Sequence, residues 1–88
     1  MSQGDGRYIL AFRSYNQAML LYHKLLGSGC NIELVSTPCR VSRGCSQSIL
    51  FRPEDVKKII EIAKNSRVAI KGIYKIIDNN GKKEYIHI

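Results

Sequence analysis

The stretch YILAFRSYNQAMLLYHKLLGSG, residues 8–29, decides how the rest of the chain is read. Its first five residues are an unbroken apolar run of strand length, which predicts a strand buried on both faces. The period then changes. Ser14 and Gln17 have the spacing of a capping box, in which the serine hydroxyl takes an orphan backbone N–H and the glutamine reaches back. Ala18, Leu21, Tyr22 and Leu25 follow at i, i+3, i+4 and i+7, the apolar stripe of one helix. Gly27 and Gly29 supply the residues that end it.

The remaining elements extend this strand–helix start. Residues 31–36 predict a second strand, with Ile32 and Leu34 on one face. Residues 48–51, SILF, predict a third, bounded by Pro53. RPED, residues 52–55, opens a second helix: proline near the first helical position loses no hydrogen bond, and Glu54 and Asp55 suit the positive helix start. Val56, Ile59, Ile60 and Ala63 form its apolar stripe, with Lys57, Lys58 and Lys64 outside. Residues 68–77 predict a fourth strand. DNNG, residues 78–81, is a hairpin turn signal, and residues 82–88 return as an added strand through Tyr85, Ile86 and Ile88. The order β-α-β-β-α-β with an added C-terminal hairpin strand predicts an α+β, ferredoxin-like sandwich, two helices on one face of an antiparallel sheet. One domain over residues 1–88 is expected, with residues 1–6 as a frayed end.

The composition narrows the function classes. No apolar run approaches the roughly 18 residues of a membrane span, and the start of the chain lacks the basic and apolar regions of a secretion signal. A cytoplasmic protein without membrane partners is expected. Three cysteines are an odd count, which argues against a disulfide scaffold. A net charge of +7 favours anionic partners. A solvated basic surface that keeps the domain soluble would show the same charge.

The chemistry-bearing segment is STPCRVSRGCSQS, residues 36–48. Cys45 lies between Gly44 and Ser46, outside any apolar periodicity, and the glycine before it removes a side chain that could block approach. Arg40, Arg43 and Arg13 would favour its thiolate, as would a nearby helix N-terminus. In the ferredoxin-like arrangement the connection between the second and third strands lies at the end where the first strand stops, so this segment is expected near Arg13, Ser14 and the start of the first helix. Cys39 has three readings: a resolving thiol for Cys45, a second carrier thiol, or a plain loop residue. Cys30, at the start of the second strand, reads as a small buried hydrophobe. A zinc site is not expected, because Cys39 and Cys45 have five residues between them and both His23 and His87 are distant in sequence. No cofactor is called for.

The segment LVSTPCRVSRGCSQS, residues 34–48, resembles the signature of the selenium/sulfur carrier protein-like family, a group of small bacterial proteins. FRPED, residues 51–55, and GIY, residues 72–74, resemble the family's later features, so the likeness covers about residues 8–76. It implies that Cys45 is the motif cysteine and that Thr37, Pro38 and Arg40 form its approach. Many members carry glycine after that cysteine where this chain has Ser46. The resemblance implies a non-enzymatic carrier of sulfur or selenium, held as a persulfide or selenosulfide, with donor and acceptor proteins as partners.

Two other classes compete. A redox-sensing or regulatory interaction domain would toggle Cys39 and Cys45 between dithiol and disulfide. An RNA-binding module of the same fold would display Tyr8, Phe12 and Phe51 on its open sheet face. The chain lacks the basic-glycine-aromatic pattern such modules carry, so nucleic acid is not the expected partner. Residues 84–88, EYIHI, have little charge to discourage edge pairing, which predicts a homodimer through that edge.

Overall fold

Four consecutive side chains of the first strand, Ile9, Leu10, Ala11 and Phe12, are at most 2% exposed. The architecture is what buries both faces of this strand at once. A computed structural model describes residues 7–38, 41 and 47–88. In chain order these form β1 (Tyr8–Phe12), α1 (Tyr15–Gly27), β2 (Ile32–Ser36), β3 (Gln47–Phe51), α2 (Val56–Ser66), β4 (Ile70–Asn79) and β5 (Lys82–His87). Among the described residues the strands make one five-stranded sheet, ordered β2-β3-β1-β4-β5, and every pairing is antiparallel.

Alternation along the strands sends side chains to two different layers. Leu10 and Phe12 of β1 and Ile49 and Phe51 of β3 pack with Ala18, Leu21 and Leu25 of α1 and Ile59 and Ala63 of α2. Both helices therefore cover one face. Ile9 and Ala11 point the other way, into a smaller cluster with Val41, Val35, Tyr74, Ile76 and Tyr85. Of the stripe expected on α2, Val56, Ile59 and Ala63 pack on the helix-side core; Ile62 joins them, and Ile60 is half-buried outside that cluster.

Local chemistry sets the element ends. The Ser14 hydroxyl accepts the Gln17 N–H at 3.3 Å, so half of the expected capping box forms. The other half does not: Gln17 Oε1 accepts the N–H of Ala69 at 3.0 Å, tying α1 to the lead-in of β4. At the far end Gly29 takes φ +80°, the Cys30 N–H donates to Leu25 and the Gly29 N–H to Leu26. That is the double bond pattern of a Schellman cap, where only glycine adopts the left-handed conformation at no steric cost. Pro53–Asp55 form a 3₁₀ turn that runs into α2. The β4–β5 hairpin turns on Asn80 and Gly81, both with positive φ, as a two-residue turn matched to strand twist requires. The Asp78 carboxylate accepts the Gly81 N–H at 3.1 Å.

Candidate functional site

Strand register positions the connection that carries the motif cysteines. β2 ends at Ser36, opposite Gln47 at the start of β3, and Ser48 lies between Ala11 and Val35. β1 finishes at this same end and leads through Arg13, which is exposed, to the Ser14 cap of α1. Cys39, Arg40, Ser42, Arg43, Gly44, Cys45 and Ser46 lie outside the described residues.

The frame around them is specific. Thr37 Oγ1 and Ser48 Oγ are 2.6 Å apart, a hydroxyl pair across the mouth of the connection. Ser48 is fully buried, so this bond satisfies a group that would otherwise be desolvated without a partner. The Pro38 carbonyl accepts the Val41 N–H at 2.9 Å. Val41 itself is buried against Ile9 and Ala11, with Val35, Tyr74, Ile76 and Tyr85 around it. The strand ends put the segment at the end of the sheet where β1 leads to Arg13 and Ser14, as the element order predicts; apart from Val41 its residues 39–46 lie outside the described ones. Val41 packs on the sheet face opposite the helices. The physical reason is apolar demand: Ile9 and Ala11 need cover, the helices fill the other face, and Val41 is the one branched apolar residue between Pro38 and Gln47.

Cys30 is a different kind of thiol. It is 7% exposed and belongs to the helix-side core. Burial pushes its pKa above the ordinary thiol range; the Lys58 ammonium opposes that push and the Asp55 carboxylate adds to it. A thiol held in its protonated form is a poor nucleophile, so the chain's candidates for thiolate chemistry reduce to Cys39 and Cys45.

The aromatic display that an RNA-binding reading requires is not on the open face. Tyr8 stacks on Phe51 at 5.6 Å between ring centroids, and both rings, with Phe12, turn toward the helices. The open face carries Tyr74 and Tyr85 instead, and His87 lies against the Tyr74 ring at 5.0 Å. His23 is on the exposed side of α1.

Sequence reasoning missed Val41 and Ser48. One signal was available for Val41, a lone branched apolar residue in a polar segment. Nothing local marks Ser48, whose burial depends on partners from two neighbouring strands.

Fold and frame together define a small α+β domain with a cysteine-bearing connection at one end of its sheet. Residues 7–75 match the family described as "Putative Se/S carrier protein-like". The match spans most of the chain and the whole of the cysteine segment, and the chain belongs to this family. No curated protein and no solved structure matches it. Among the described residues, no helix is long and apolar enough to cross a membrane.

Proposed function

We propose that the protein carries sulfur or selenium on Cys45, loading from a donor protein and unloading to an acceptor. The observation that carries this reading is the family match over residues 7–75, which includes Cys45 and its approach, Thr37, Pro38 and Arg40. The burial of Cys30 supports it by removing the third thiol from contention. The strand order β2-β3-β1-β4, with both helices on one face, supports a ferredoxin-like scaffold to which β5 adds an edge.

The transfer step is a thiol exchange. The Cys45 thiolate attacks the terminal sulfur of a donor persulfide. A new S–S bond forms at Cys45 as the donor's S–S bond breaks, and the electron pair leaves on the donor thiolate. With a selenosulfide donor the same step forms an S–Se bond. No external oxidant is needed, because the transferred atom keeps its oxidation state. Arg40, Arg43 and Arg13 favour the attacking thiolate, and the net charge of +7 steers the domain toward acidic partners. Cys39, six residues before Cys45, is the candidate resolving thiol.

Loading with a cysteine desulfurase and free cysteine tests this, read by intact mass and peptide mapping. The expected result is the gain of one sulfur atom at Cys45, lost in Cys45→Ser and kept in Cys30→Ser. A wild-type chain that takes up no sulfur, or a Cys45→Ser chain that still does, would overturn the assignment. A disulfide between Cys39 and Cys45 without sulfur uptake would point to redox sensing instead.

A further inference from the structure

Among the described residues five large apolar side chains are strongly exposed, and three of them lie on α1: Tyr15 at 52%, Leu20 at 55% and Leu26 at 47%. Tyr15 and Leu26 share one edge of the solvent-facing side, and Leu20 lies about 120–140° round the helix from them, with Met19 between. Met19 and Leu20, with Asn16, His23 and Lys24, line an open hollow on that surface. The core does not need these residues, since Ala18, Leu21 and Leu25 supply the helix's buried stripe.

Charge on this surface has one sign. α1 contains no Asp or Glu. Lys24 stands in its last turn, and Lys58 of α2 is pinned at the same end by a 2.8 Å bond from its ammonium to the Ser28 carbonyl. Arg13 is exposed just before the helix begins. An apolar hollow with cations at both ends of its helix complements an apolar strip flanked by carboxylates.

We infer that the outer face of α1 docks an acidic amphipathic helix of a partner protein, the carrier's donor or acceptor if the carrier reading holds. A helix fits better than an extended strand, because Asn16, Leu20 and Lys24 form an i, i+4, i+8 ridge beside Met19 and His23, the relief that a second helix packs against. From Asn16 to Lys24 the hollow runs about 12 Å along the helix at 1.5 Å per residue, roughly two turns of a partner. A second copy of the chain fits poorly, because α1 carries no Asp or Glu to answer the Lys24 of another copy. A lipid surface also fits poorly, since lipid-binding helices gather roughly four to eight basic residues and α1 has one lysine.

The test uses Cys45→Ser protein, so that docking is read apart from any cargo chemistry. The probes are a leucine–glutamate amphipathic peptide of about 20 residues, long enough to hold a helix alone, and its leucine–lysine counterpart. Amide shifts should map to residues 15–26 with the acidic peptide only. Leu20→Glu and Lys24→Glu, both at exposed positions, should each weaken binding roughly tenfold without lowering the melting temperature. Binding of both peptides alike, shifts confined to other elements, or no binding would overturn the proposal. So would self-association, or capture on phosphatidylglycerol vesicles, that Leu20→Glu abolishes in the absence of peptide binding. Desulfurase loading of wild-type protein is measured in parallel. Loading without peptide binding sinks the docking surface alone. Peptide binding without loading sinks the carrier reading and leaves the docking surface standing.

Discussion

The two faces of β1 are equally dry but differently covered. Leu10 and Phe12 lie under two helices, whose five buried residues lock into the sheet. Ile9 and Ala11 lie under Val41, from the segment that also carries the motif cysteines, with half-buried Val35, Tyr74, Ile76 and Tyr85 around it. The helices are held by their own backbone bonds and caps whether or not a partner is present. Val41 is held by the Pro38 carbonyl, its methyl groups and little else among the described residues. Equal burial therefore hides unequal restraint. Val41 is the described residue of the cysteine segment that covers Ile9 and Ala11, so its position and the integrity of that face are linked.

Paired truncations test the inequality. Phe51→Ala removes a fully buried ring from the helix side and should cost about 3–5 kcal/mol, enough to unfold much of the population in mild urea. Val41→Ala removes two methyl groups from the open face and should cost about 1–2 kcal/mol at roughly 0.8 kcal/mol per carbon. Urea midpoints of the two variants give the ratio directly. Equal losses would break the comparison and make the open face a second full core.

The next effect is smaller and belongs to the covered side. Cys30 is desolvated beneath the helices, and its folded pKa lies above that of the unfolded chain. The folded state therefore holds the proton more tightly. Its contribution to stability is fully present below the unfolded thiol pKa and is lost as pH rises through the folded one. Alkylation of Cys30 should be slow, with a midpoint above the ordinary thiol range, and Cys30→Ala should flatten the alkaline fall in stability. A Cys30 that alkylates as fast as a free thiol would mean that the helix layer opens readily.

How much of this was legible follows from where each signal lives. β1 was readable as doubly buried because an unbroken YILAF run states it without reference to any partner. The Schellman end at Gly29 and the turn at Asn80-Gly81 were readable because a positive φ asks for particular residues. Gln17 misled, since local spacing favours the capping box while its amide serves Ala69, 52 residues away in sequence. The facing of Tyr8, Phe12 and Phe51 was open in a run with no alternation, and pairing with the helices decided it. At the site, composition and spacing marked Cys45 and its arginines, but not Val41 or the Thr37–Ser48 hydroxyl pair. Those are products of sheet register, which couples residues that no local window contains.

The smallest prediction probes the rim of the open face. A Cβ built at Gly72 would sit 3.0 Å from His87 Nε2 and 3.1 Å from the Tyr74 ring. On the helix side such a contact would force backbone apart. Here His87 is exposed at the end of the edge strand β5 and can swing away, and the half-buried Tyr74 ring has only to shift by a few tenths of an ångström. Gly72 does not need a positive φ, so alanine also gains the roughly 0.4–1 kcal/mol of a less flexible unfolded chain. Gly72→Ala should therefore change stability by less than about 0.5 kcal/mol, the range of surface substitutions. The visible change should be in the histidine ring resonances, as the contact with Tyr74 is lost. A loss comparable to Val41→Ala would mean that the rim is packed as tightly as the centre, and that the open face does not loosen toward its edge.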